Sequence, residues 1–114
     1  MSYKIYHNPR CSKSRQTLEI LKSNGIEPQI IEYLKDVPTK EELTELLQKL
    51  NMQAVDILRK GEAAYKENYK GKDLSNEEWI EAMVKFPKLI ERPIVVKNKK
   101  AVLGRPPAKV LDLI

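Results

Sequence analysis

Two short apolar strand patterns flank a helical one at the start of this chain. Lys4-Ile5-Tyr6 reads as a strand and Ser12 to Asn24 as a helix, with Leu18 and Leu21 on one face and Gly25 as its C-terminal stop. Gln29-Ile30-Ile31-Glu32-Tyr33 reads as a second strand. Strands joined through a helix pair in parallel, so the chain commits early to an α/β sheet. A helical stretch follows. Thr39 with Glu42 forms a capping box ahead of Leu43, Leu46, Leu47 and Leu50, and Ser75 with Glu78 repeats it ahead of Trp79, Ile80, Met83 and Val84. Short helices are expected over Ala54–Arg59 and Glu62–Tyr69, and Phe86-Pro87 ends the stretch. Trp79 is expected to anchor a core. Pro93-Ile94-Val95-Val96 and Ala101-Val102-Leu103 then read as a hairpin about the turn Lys97-Asn98-Lys99-Lys100, and Pro106-Pro107 opens a last helix through Leu113. With 114 residues and no linker or repeat, the expectation is one domain over 1–114 with a helical insert at about 39–86.

The single cysteine, Cys11, falls where the first strand pattern gives way to the helix, in the run His7-Asn8-Pro9-Arg10-Cys11-Ser12-Lys13-Ser14-Arg15. At a helix N-terminus a thiol meets unpaired backbone N–H groups and the positive end of the helix dipole, and both favour the thiolate. An ordinary thiol is only a few per cent ionised at neutral pH, so such help matters for a nucleophile. A free cysteine is often a small buried hydrophobe. The polar residues around Cys11 are poor company for a core position and favour the reactive reading. One Cys and one His cannot build a structural zinc site, and a lone cysteine excludes an internal disulfide.

Hydrophobic residues make up 41% and charged residues 32%, which suits an ordinary globular chain. No apolar run approaches a membrane span and no signal-peptide core is evident, so no membrane association is expected. A thiol nucleophile needs a reducing compartment, which points to the cytoplasm. The net charge of +5 does not imply nucleic acid, because the lysines are scattered and few aromatics accompany them. Only five of the 21 basic residues are arginine: Arg10, Arg15, Arg59, Arg92 and Arg105. Two flank Cys11 and three sit at the ends of expected elements. They read either as ordinary surface residues or as a small oxyanion site, for which the guanidinium fork is suited and lysine is not equivalent.

The order β-α-β, helical insert, β-β-α is that of a thioredoxin-like α/β sheet with helices inserted between strands 2 and 3. From near residue 3 to the C-terminus the chain resembles the glutaredoxin-dependent arsenate reductases. The resemblance rests on Tyr6-His7-Asn8-Pro9, Ser14-Arg15, Thr17-Leu18-Glu19, Tyr33-Leu34, Leu58-Arg59-Lys60, Arg92-Pro93-Ile94-Val95-Val96 and Arg105-Pro106. It is strongest to a short, single-cysteine branch with Cys-Ser-Lys-Ser at the site and Gly-Arg-Pro-Pro near the end. The well-characterised members instead have Gly-Thr where this chain has Ser12-Lys13.

That resemblance implies that Cys11 attacks arsenate while Arg59, Arg92 and Arg105 bind the oxyanion. It implies no bound cofactor or metal, with glutathione as co-substrate and glutaredoxin as the partner that releases product by reduction. It further implies that His7 lowers the thiol's pKa, as a nearby imidazolium would. The alternative for His7 is a strand-end histidine that hydrogen-bonds the turn. Ser14 either donates a hydrogen bond to the thiolate or caps the helix. Pro93 matches the cis-proline that faces the active-site cysteine in this fold. Two other functions stay open: a glutaredoxin-like thiol transferase, and a protein-binding regulator of the same fold.

Overall fold

The computed structural model describes residues 2–114; Met1, the first residue of the expected domain, lies outside them. The chain forms two compact units, one made of the residues up to Asp36 together with Arg92–Ile114, the other of Val37–Glu91.

The first unit is built on a four-stranded sheet. Its strands are β1 (Tyr3–Tyr6), β2 (Gln29–Ile31), β3 (Ile94–Lys97) and β4 (Lys100–Leu103), in the order β2-β1-β3-β4. As the helical connection requires, β1 and β2 are parallel, whereas β1–β3 and β3–β4 are antiparallel. This is the thioredoxin-like α/β arrangement, with helices inserted between β2 and β3. Ile5 stands opposite Ile30 on one side and Val95 on the other. With Leu21, Val110 and Leu113 it forms a buried cluster, against which Leu18, Ile26 and Val102 pack.

Helix α1 (Ser12–Ser23) crosses between β1 and β2. It ends as its sequence suggests. Gly25 takes a positive φ of 77°, while the Ile26 and Gly25 N–H groups donate to the carbonyls of Leu21 and Lys22. This is a Schellman closure, which uses Gly to reach a left-handed backbone and lets Ile26 pack back on the core. The buried face of α1 differs from expectation: it is Ser14, Thr17 and Leu21, with Leu18 only partly buried. Two of those three side chains are polar, and each has a local partner. Thr17 Oγ1 donates to the Lys13 carbonyl at 2.9 Å, and Ser14 is tied to His7. The expected last helix is a 3-10 helix over Pro107–Leu113.

In the second unit both capping boxes close. Thr39 begins α2 (Lys40–Leu50) and Ser75 begins α4 (Asn76–Lys85), with reciprocal hydrogen bonds to Glu42 and Glu78. Leu43, Leu46, Leu47 and Leu50 are buried on α2, as are Trp79, Ile80, Ala82 and Met83 on α4. Trp79 stacks on Tyr65, of α3 (Ala63–Asn68), at 6.1 Å. The helix expected over Ala54–Arg59 stops early. A 3-10 turn covers Ala54–Ile57, after which Leu58 pairs antiparallel with Ile90. The Arg59 N–H donates to Leu89 and the Glu91 N–H to Ile57, each at 2.8 Å. Long-range backbone pairing has overridden local helical preference, as short segments permit.

Gly104 sits where Pro93 and Thr17 approach the backbone closely. A Cβ there would meet Pro93 Cγ and Thr17 Oγ1, both at 2.8 Å. Neither can swing aside, because one belongs to a ring and the other is fully buried and hydrogen-bonded. Gly104→Ala is therefore expected to destabilise the protein by about 1–3 kcal/mol. Urea unfolding should show a lower midpoint at unchanged slope; a variant as stable as the parent would contradict this packing.

Candidate active site

Cys11 occupies the N-cap position of α1, half-buried, with extended backbone (φ −93°, ψ 123°). Its N–H donates to the Asn8 carbonyl at 3.0 Å, which closes the turn out of β1. The thiol makes no cap hydrogen bond of normal geometry, yet the N–H groups of Ser14 and Lys13 lie near enough to favour a thiolate. Partial burial is the largest single influence on the sulfur and raises its pKa. The Ser14 N–H, the Arg92 guanidinium (by hydrogen bond and by charge) and the Lys13 N–H together outweigh it, so the pKa falls below that of an ordinary thiol.

The arginine beside the sulfur is thus Arg92, remote in sequence, and not the flanking pair. Arg15 Nη1 instead donates to the Pro9 carbonyl at 2.9 Å, bracing the turn, and Arg10 is exposed. Arg92 precedes Pro93 across a cis peptide bond, and a second cis bond joins Arg105 to Pro106. Arg105 Nη1 donates to the Arg92 carbonyl at 2.9 Å, so two of the three expected anion-binding arginines are linked directly.

His7 and Ser14 are both buried, at 6% and 0% exposure, and His7 Nδ1 lies 2.6 Å from Ser14 Oγ. Ser14 Oγ also accepts from the Asn8 N–H at 3.1 Å. The Ser14 hydroxyl is engaged by His7 and Asn8, and the backbone N–H of Ser14 serves the sulfur. Burial pushes the His7 pKa down; Glu32 raises it only in part, and Arg15 and Lys22 lower it further. Burial thus disfavours the charged imidazole, the form in which His7 was expected to act on Cys11. The His7 side chain follows β1 and is held to Ser14, in the first turn of α1. It acts on the site by fixing Ser14.

Arg59 belongs to the second unit and is ion-paired twice. Nη1 lies 2.6 Å from Glu91 Oε1, and Nε lies 3.4 Å from Glu62 Oε2. Sequence reasoning noted Arg59 and passed over both acids, although Glu62 at i+3 is a signal available from spacing alone. Among the described residues no cluster of His, Cys, Asp and Glu could hold a metal ion, and no helix is long and apolar enough to cross a membrane.

The ArsC family model matches residues 6–113. The chain belongs to the ArsC family. A protein of Escherichia coli K12, YfgD, described as uncharacterized, is 51% identical over 113 residues, covering 97% of this chain and 95% of its own length. An arsenate reductase of Haemophilus influenzae is 43% identical over 116 residues, spanning all of both chains. The solved structure of an arsenate reductase from Vibrio cholerae matches with a TM-score of 0.95 at 49% identity, covering 100% of this chain and 98% of that one.

For this ArsC chain the electrostatics give a test. Because the thiolate is favoured, alkylation of Cys11 should rise through a midpoint at lower pH than for a free thiol, with Cys11→Ser as the blank. Arg92→Leu removes a hydrogen bond and a positive charge and should move that midpoint upward. A midpoint at or above that of a free thiol in the parent protein would refute activation of the sulfur.

Proposed function

We propose that this chain reduces arsenate to arsenite through the Cys11 thiolate. The observation that carries the reading is a thiolate-stabilising N-cap cysteine beside Arg92, in a chain similar over its full length to arsenate reductases. An anionic nucleophile approaching an anionic substrate needs fixed positive charge, and guanidinium groups with helix N-terminal amides supply it. In this reading Cys11 displaces an oxygen of arsenate, which leaves as water, to form a sulfur–arsenic(V) bond. Arg59, Arg92 and Arg105 bind the oxyanion, and His7 and Ser14 hold the helix entry. The two electrons that take arsenic(V) to arsenic(III) come from two thiols, which end as a disulfide. With one cysteine in the chain, the second thiol must come from outside. Glutathione is the co-substrate in this reading and glutaredoxin the reductant of the resulting mixed disulfide, in the reducing cytoplasm.

A glutaredoxin-like thiol transferase is the second reading. It is favoured by one observation: Arg59 is held by two carboxylates, and a transferase needs the thiolate but no clamp for a tetrahedral anion.

Purified protein with arsenate, glutathione and glutaredoxin should yield arsenite, and yield none with Cys11→Ser or without glutathione. Replacing Arg59, Arg92 or Arg105 by Lys keeps the charge but loses the planar fork. Each change is expected to lower kcat/KM by roughly 10- to 150-fold, the equivalent of one charge-assisted hydrogen bond. Efficient reduction of small mixed disulfides with arsenate left untouched would move the assignment to the thiol transferase.

A further inference from the structure

Arg59 carries its own anions. Two of its three guanidinium nitrogens face different carboxylates: Nη1 faces Glu91 and Nε faces Glu62. A forked hydrogen bond to an oxyanion uses either Nε with Nη2 or Nη1 with Nη2. Each pair already has one member engaged. The three side chains are also only 22–30% exposed, so solvent screens their charges less than on an open surface. Both carboxylates compete directly with any oxyanion that approaches this guanidinium. A forked hydrogen bond to such an anion requires a carboxylate to yield its place.

The backbone explains why Glu91 is so close. Leu58 pairs antiparallel with Ile90, and hydrogen bonds join Arg59 to Leu89 and Glu91 to Ile57. This bridge sets the two side chains beside each other across paired segments. Glu62 comes from the same stretch of chain as Arg59, three residues on, and makes the longer contact.

We propose that Glu91, with Glu62 as the lesser partner, is the internal anion that an oxyanion must displace from Arg59, and that it thereby sets how tightly this chain holds tetrahedral oxyanions. The proposal rests on the reading of Arg59 as an oxyanion ligand. Glu91 acts through Arg59 and is a specificity-determining, positioning residue. It both orients the guanidinium and competes with the ligand. Weak ligands would leave the ion pair intact, and only an anion able to use the full fork would exchange with it.

Glutamine separates the two roles, because it keeps a hydrogen-bond acceptor at the same reach and removes the charge. Sulfate serves as the probe, titrated calorimetrically at constant ionic strength, with the Arg59 Nε–H resonance reporting the site. Glu91→Gln should bind sulfate about tenfold tighter than the parent, the scale of one partly screened charge at close range. Glu62→Gln should gain less, Glu91→Asp should keep the parent affinity, and Arg59→Ala added to Glu91→Gln should erase the gain. In the arsenate assay the KM of Glu91→Gln should fall, an effect that loss of a merely structural contact would not produce. If Glu91→Gln does not fold, Glu62→Gln carries the same test at smaller amplitude. Equal or weaker sulfate binding in the glutamine variants overturns the proposal; if Arg59→Ala still abolishes binding in the parent, the oxyanion role of Arg59 stands alone. Absence of sulfate binding in parent and glutamine variants alike overturns both.

Discussion

Antiparallel pairing of β1 with β3, in the register Tyr6 to Ile94, brings the thiol and its arginine to one end of the sheet. Past Tyr6 the chain runs into the turn that carries Cys11. Before Ile94, on the antiparallel neighbour, come Arg92 and Pro93. The register puts the two approaches side by side. It is held because Ile5 and Val95 must both face the buried cluster, and a slip of one residue would turn every side chain of the strand to the wrong face. Thus an apolar contact in the centre of the sheet decides where a charged group meets a sulfur.

The electrostatics of the site are local in effect but not in origin. Arg10 and Arg15 are near Cys11 along the chain, yet one is exposed and the other braces a turn carbonyl. Burial of the His7 imidazole lowers its pKa and disfavours its charged form. What remains is a set of fixed dipoles and one guanidinium: the amides of Ser14 and Lys13, and Arg92, whose own carbonyl is held by Arg105. Such groups are oriented before any ligand arrives, which is what makes positive charge effective in a partly buried site. The buried His7–Ser14 hydrogen bond contributes by keeping the first turn of α1 where its amides face the sulfur.

The second unit obeys a different logic. Its long helices are set by capping boxes and leucine spacing, and its arginine is set by backbone pairing between distant segments. Arg59 sits among carboxylates at partial burial, an environment that preserves its charge and limits what else it can hold.

Much of this protein is legible from local patterns. The helix stopped at Gly25, both capping boxes and the charged hairpin turn arise from interactions within a few residues, while the parallel opening pair and the Trp79 core follow from apolar spacing along each element. The position of Cys11 at the head of α1 is legible for the same reason. Other features depend on partners far away in sequence. Arg59 leaves its expected helix because Ile90 offers Leu58 a strand partner, and Pro107–Leu113 winds as a 3-10 helix. Ser14 and Thr17 are buried because His7 and Lys13 satisfy them, where apolar spacing pointed to Leu18. Sequence determined that a cysteine would stand at a helix N-terminus with arginines available to the fold. Only tertiary structure decided which arginine reaches it, because that choice depends on strand register and burial, and charge acts across space rather than along the chain.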